Sequence, residues 1–327
     1  MKKSFFIFML IIFVFSTSNA KEAKYILQFS HVTSPDSPKG KASLFFEKRL
    51  EELSKGQIDV QVFPNSELYD DRSALTAIAL DNVQMVAPSF AKFKDVVKDL
   101  SIFGLPFLFR DLNHVHKVLD SKIGQDFKNA VKKEDYIVLD YWDNGFKIFT
   151  SSLNPIINYK DLENQKIRIM SSDVLKSFFK SASAQPIVLP FHKVYENLEN
   201  IKINAQENTA SNIVSKKFHT VQKYLTISNH SYLGYLVVVS KSFYNSLPKN
   251  LQSALKQAMK EATAKERVLA KKLNEINLAK LKTYAEKYKE FTIYTLSDTF
   301  SQKAQESYKK MGKIIDMNLV KKIKNIN

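Results

Sequence analysis

Apolar and polar positions alternate with period two over Tyr25–Val32 and again in QIDVQVF (57–63), so both read as half-buried strands. Between them Leu44, Phe45, Leu50 and Leu53 recur at helical spacing and predict a helix over 43–54. Residues 71–80 read as a helix, VQMVAP (83–88) as a buried strand, and LPFLFRD (105–111) ends that stretch. A helix is predicted from about His114 to Lys132. In YIVLDYWDNGFKIFTSS (136–152) one strand is expected to end near Trp142, Gly145 to permit a turn, and a second strand to begin at Lys147. A smaller βα region follows to about Asn229, with KIRIM, QPIVLP and INAQEN as its strand-like pieces. YLVVVS (235–240) is apolar on both faces, as a returning strand at a sheet centre would be. Pro248 opens a helical pattern reaching about Lys289, whose Leu269, Leu273, Ile276 and Leu281 keep an irregular spacing that favours a spanning helix over a coiled-coil seam. FTIYTL and a last helix from Asp298 close the chain. Strands alternating with helices predict an α/β fold with largely parallel sheets.

The N-terminus departs from this alternation. Lys2 and Lys3 precede the apolar run SFFIFMLIIFVF, and Ser18-Asn19-Ala20 supplies small residues at a cleavage site. Residues 1–20 therefore read as a signal peptide cleaved after Ala20, since the apolar run is short for a membrane span. The chain has no cysteine, which excludes disulfides, thiolate chemistry and a lipid anchor on an N-terminal cysteine. An exported, unanchored, cysteine-free chain suits the periplasm, with secretion into the medium as the alternative. The formal net charge is +16, carried mainly by lysines spread over helical faces. That pattern describes a solvated basic surface that also attracts small anions. Export and the lack of an aromatic–basic motif argue against a nucleic-acid partner.

Several chemistries are excluded. The seven glycines stand too far apart for G-x-G-x-x-G or a P-loop. H-E-x-x-H and G-x-S-x-G are absent, and His114 and His116 point to different faces of a helix. Asp70-Asp71 reads as a helix cap. Glu207, in the turn AQEN, is the better candidate acid or base, but nothing in the sequence supplies it with a matched partner. No cofactor or metal is expected.

One cation stands out. Arg168 lies in QKIRIMSSD (165–173) between two isoleucines, just before a helix start with Ser172 or Asp173 as its cap. It shares a face with neither isoleucine, so it either points at water or anchors an anion at the end of a strand.

Beyond this strand come PFHKVY (190–195), QEN (206–208) and KFHTVQKYLTISNH (217–230). FSHVTSPDSPKGKA, VFPNSELYDDR, MVAPSFAKF and LPFLFRD precede it. In this order the chain resembles the solute-binding proteins of TRAP transporters, of the DctP type that serves C4-dicarboxylates and related organic acids. The resemblance covers nearly the whole mature chain. It implies a two-lobed α/β periplasmic binding protein with mixed sheets, crossing hinge strands and one long spanning helix. The implied lobes are 21–145 with 234–273, and 146–233 with 274–327. It further implies that Arg168 pairs with a ligand carboxylate, that Asn208 holds the same carboxylate, and that Phe191 packs on the carbon skeleton. Ser89 and Lys39 would reach the distal end from the other lobe. Lys147 takes the place of a second arginine found in sialic-acid-type members, which makes sialic acid a poor ligand for this chain. The expected partners are a small carboxylate and the membrane permease, with the protein itself a monomer. An exported enzyme on the same scaffold using Glu207, or a basic surface protein, are the competing readings.

Overall fold

A computed structural model describes residues 23–131 and 134–326; the expected leader over 1–20 lies outside them. The strands are β1 (Tyr25–Ser30), β2 (Ile58–Phe63), β3 (Met85–Val86), β4 (Tyr136–Ser151), β5 (Lys166–Ile169), β6 (Gln185–Val188), β7 (Ala205–Asn208), β8 (Tyr224–Ser240) and β9 (Thr292–Thr295). They hydrogen-bond in the order β2-β1-β3-β8-β4-β7-β5-β6, with β9 beside β8. β1 runs parallel to β2 and β3, and β5 runs parallel to β6 and β7. β4 and β8 are antiparallel to each other and much longer than the rest.

Those two long strands make the molecule two-lobed. The end of β8 pairs with β3 and the start of β4, while the start of β8 pairs with β9 and the end of β4, which itself pairs with β7. Each strand thus begins in one lobe and finishes in the other. β4 runs unbroken through Trp142 and Lys147, where a turn between two strands was expected. Gly145 does not reverse the chain. Its positive φ of 122° is absorbed in a register shift between Asp143 and Gly145, so a bulge replaces the turn. Gly234 is paired with Asp143 at the same level. A Cβ there would stand 2.7 Å from the Phe90 ring, so glycine is needed for close packing.

The expected helix from His114 is two helices, Leu112–Asp120 and Lys122–Val131. Ser121 separates them: its hydroxyl donates to the carbonyl of Val118 and accepts from the backbone N–H of Ile123. The helix expected over 71–80 shortens to Ala74–Ala79, because the Asp70 carboxylate accepts from the N–H groups of Arg72 and Ser73 and holds a turn first. Asp70 thus caps that turn and not the helix expected, whose N-cap is Ser73 without a side-chain hydrogen bond.

The long helix spans Lys249–Lys287, with Pro248 just before it. At ~1.5 Å per residue it is about 58 Å long, enough to brace both lobes. Leu251, Leu255 and Met259 pack with Phe29, Phe46 and Val60 in the first lobe, whereas Leu281 packs with Ile148, Ile213 and Leu225 in the second. Between these patches Asn274 crosses the hinge. Its amide donates to the carbonyl of Asn144 and accepts from the N–H of Ser211. Among the described residues no helix is long and apolar enough to cross a membrane.

Candidate functional site

The carboxyl ends of β1, β3, β5, β6 and β7 face a cleft of about 800 Å³. In open α/β sheets this is where ligands gather, because strand ends and helix starts leave backbone groups unspent. One wall carries Thr33, Asp71, Ser89 and Lys92, the other Arg168, Phe191, Asn208 and Asn212, and Leu233 and Tyr235 of β8 form the floor. A second, more open concavity of about 620 Å³ is lined by Lys94, Lys98, Lys176, Lys180, Lys310 and Lys313. Lys94 is half-buried and the other five are exposed, so this concavity reads as part of the solvated basic face.

Arg168 is the focus of the cleft. β5 lies between β6 and β7, and Ile167 and Ile169 are fully buried in the core. Arg168 is only 4% exposed, so the water-facing reading of its alternation fails. Strands on both sides of β5 and the Pro190-Phe191 corner above it close the space that a surface arginine would use. Its Nε and Nη2 both donate to the carbonyl of Leu189, at 3.1 and 2.8 Å. Among the described residues Nη1 has no partner and no carboxylate forms an ion pair with the guanidinium. Burial pushes its pKa down to about 10 against the pull of Glu207 and Asp71, so it stays charged at neutral pH. A buried, charged, half-satisfied arginine is a group waiting for an anion.

Phe191 lies beside it, its ring centroid 5.9 Å from the Arg168 guanidinium and 5.6 Å from the Lys216 ammonium. Asn208, at the end of β7, accepts from the Asn212 amide at 2.8 Å, and its own N–H₂ has no partner among the described residues. The Ser89 hydroxyl and Asn212 Oδ1 are buried without a partner. Arg168, Asn208, Phe191 and Ser89 are therefore brought together around one space.

Two lysines expected at this site stand elsewhere. Lys39 is fully buried behind the floor, where its ammonium donates to the carbonyl of Ala87 at 2.8 Å and sits 3.6 Å from the centre of the Tyr235 ring. Burial lowers it to about 8, with Asp71 and Glu266 pulling the other way. Lys147 lines a small cavity that adjoins the cleft and shares Ser89, Ala91, Met170 and Leu233 with it. Pairing of β4 with β7 and β8 puts it beside Glu207 and His230, and its ammonium lies 2.5 Å from Glu207 Oε2. His230 Nε2 approaches the same oxygen at 2.9 Å, and its ring stacks on Phe149 at 4.0 Å.

Glu207 thus has two matched partners that the sequence did not reveal. Burial would raise its carboxyl, but the Lys147 ammonium and the His230 hydrogen bond outweigh this and hold it below the usual carboxylate range. Burial keeps His230 below the usual histidine range. The group is a buried charge cluster in which Glu207 Oε1 has no partner among the described residues, and Lys147 lines the small cavity next to the cleft. The expected separation of His114 and His116 is met: His114 Nε2 lies 2.9 Å from the carbonyl of Ile323, and His116 pairs with Asp143 at 2.6 Å.

Sequence reading missed Lys92, Asn212 and Tyr235. Lys92 carried a signal: in SFAKF, Phe90 and Phe93 turn into the core on one short 3₁₀ turn, which leaves the lysine between them at the cleft. Tyr235 lay inside an apolar strand and gave none.

Residues 29–314 match the family model DctP, "Bacterial extracellular solute-binding protein, family 7". The chain is 40% identical over 258 residues to the C4-dicarboxylate-binding periplasmic protein DctP of Rhodobacter capsulatus, covering 79% of this chain and 77% of that protein. A TRAP periplasmic solute-binding protein of Sulfurospirillum deleyianum, solved with bound succinate, superposes with a TM-score of 0.90 at 44% identity, covering 93% of this chain and 100% of that one. A sugar-acid-binding protein of Advenella mimigardefordensis in complex with galactonate gives a TM-score of 0.88 at 28% identity, covering 93% and 98%.

Proposed function

The chain belongs to the DctP family, the family 7 bacterial extracellular solute-binding proteins, and we propose that it captures a small carboxylate in the periplasm for a TRAP-type membrane permease. The observation that carries this reading is Arg168, a buried guanidinium with a free edge in the cleft and no carboxylate of its own. A ligand carboxylate completes it with two parallel charge-assisted bonds, a geometry that lysine cannot supply. Asn208 donates its amide N–H to the same group, Phe191 packs on the carbon skeleton, and the Ser89 hydroxyl donates from the other wall. C4-dicarboxylates are the favoured class, in keeping with the ligands of the Rhodobacter and Sulfurospirillum relatives.

Binding is coupled to closure. Neither wall alone surrounds a small acid, so the ligand's greater affinity for the closed arrangement draws the lobes together. Motion centres on the β4 and β8 crossings at Gly145 and Gly234, beside Asn274 of the long helix. The closed, monomeric receptor is what the permease reads. An enzyme built on Glu207 is disfavoured, because that carboxylate is committed to Lys147 and His230.

A thermal-shift panel of organic acids tests the proposal. Succinate, malate or fumarate is expected to raise the melting temperature by mass action and to be recovered unchanged. A silent panel, or turnover of the stabilising acid, overturns it.

A further inference from the structure

The bulge in β4 releases Asn144 from the ladder: pairing with β8 steps from Asp143 to Gly145 and skips the residue between. Its side chain is buried and bonds to both lobes at once. Nδ2 donates to the hydroxyl of Tyr235, which lies on the cleft floor and belongs with Phe29 and Trp142 to the first-lobe core. Oδ1 accepts from the hydroxyls of Thr209 at 2.5 Å and Ser211 at 3.1 Å. These two residues stand at the start of the helix Ala210–Ser215, whose Ala210 and Ile213 belong to the second-lobe core. The same turn shapes the cleft wall, because Asn208 Oδ1 accepts from the backbone N–H of Thr209 at 3.0 Å and from the Asn212 amide at 2.8 Å. Asn144 itself is not among the residues that line the cleft.

Granted a carboxylate cleft that closes, we propose that Asn144 is the positioning residue that ties ligand capture to closure, through a hydrogen-bonded junction that forms as the lobes meet and breaks as they part. Tyr235 stands on one side of the hinge, Thr209 and Ser211 on the other. Rotation about Gly145 and Gly234 changes the span between them, and one short amide bridges it in a single arrangement. Hydrogen bonds weaken steeply outside a narrow range of length and angle, and opening leaves their buried groups unpaired. A ligand that draws the Tyr235 floor and the Asn208 wall together completes the junction. The completed junction then stabilises the closed state and slows release. Affinity thereby depends on a residue outside the cleft, because it scales with the population of the closed state.

The test pairs affinity with lobe separation. The chain has no cysteine, so Lys48→Cys on the first lobe and Lys202→Cys on the second, both exposed positions, accept a dye pair whose energy transfer reports closure. Succinate is titrated into this labelled protein and into its Ser211→Ala, Asn144→Ala, Thr209→Val and Thr209→Ser variants. Ser211→Ala removes one of the three hydrogen bonds of the Asn144 side chain and should weaken succinate about 3- to 10-fold. Asn144→Ala removes all three and should cost about 10- to 100-fold. The loss should appear in release, with association within about threefold, and the closed fraction at saturation should fall with it. Thr209→Ser keeps the hydroxyl and should match the wild type, whereas Thr209→Val should lose at least as much as Ser211→Ala. Wild-type release and closure in Ser211→Ala and Asn144→Ala would show a junction that is the same in open and closed lobes, and overturn the assignment. So would weakened binding with wild-type closure, or a Thr209→Ser as impaired as Thr209→Val. If Asn144→Ala does not fold, Ser211→Ala and the Thr209 pair decide. A wild type that does not bind succinate fails the carboxylate reading, and one that binds without a change in transfer fails closure; the assignment falls with either. A wild type that closes, with variants that close equally well, fails the assignment alone.

Discussion

Replacing Arg168 by methionine should move stability and binding in opposite directions. In the free protein the guanidinium is buried, which lowers its pKa from the usual arginine value to about 10. At 1.36 kcal/mol per pH unit this corresponds to about 3 kcal/mol against the charged form. Arg168→Met removes that penalty and keeps part of the apolar stem. It also removes two hydrogen bonds to the Leu189 carbonyl, a loss of roughly 1–3 kcal/mol. The two terms nearly cancel, so the free variant should be as stable as the wild type or up to about 2 kcal/mol more stable. Carboxylate binding, by contrast, should weaken by roughly 2–5 kcal/mol, about 30-fold to several thousandfold in Kd. Arg168→Lys should weaken it by a similar margin, because an ammonium cannot form the fork. Urea unfolding of ligand-free protein and calorimetry with succinate measure the two quantities separately. A free variant destabilised by more than about 2 kcal/mol would show that the arginine is a structural strut. Near-wild-type affinity in Arg168→Lys would refute the bidentate pairing.

Lys39→Met should stabilise the protein near pH 7. The folded pKa of Lys39, about 8, lies below its unfolded 10.5, so its cost is fully present below pH 8 and fades as pH rises towards 10.5. The stability gap between variant and wild type in urea titrations should close over that window, and a gap independent of pH would contradict the account. Glu207→Gln leaves Lys147 buried without its counter-charge and should cost about 3–5 kcal/mol. Because the Glu207 carboxyl is held low in the folded state, its contribution is present above pH 4.5 and is lost as pH falls through the depressed value. The variant should therefore show a flatter acid limb, and an unchanged limb would mean the pair contributes little. Small-angle scattering with saturating succinate should show a smaller radius of gyration than the free protein. An unchanged radius in a sample shown to bind would exclude closure about β4 and β8.

Local pattern carried much of the architecture. The period-two runs at β1 and β2, the apolar end of β8 and the helix after Pro248 were all legible, because burial of one face or both writes a repeat into neighbouring residues. The interruption at Asn144-Gly145 was misleading. A glycine with positive φ serves a turn or a bulge equally well, and only the pairing of β4 with β8 selects the bulge. Ser121 divided a helix for a similar reason, through hydrogen bonds that its hydroxyl makes in both directions.

The sequence by itself determined the α/β class, the spanning helix, the export leader as an expectation, and the placing of one arginine at a strand end beside a helix start. The assignment of charges was decided only by the tertiary structure. Lys39, Lys92 and Lys147 are the same residue type in the sequence. One lies beneath Tyr235, one is paired with Glu207 and His230, and one lines the cleft together with Asp71. Which lysine remains available to a ligand depends on strand register and on what the buried partners have already consumed. Those relations join residues far apart in the chain, where no local period can record them.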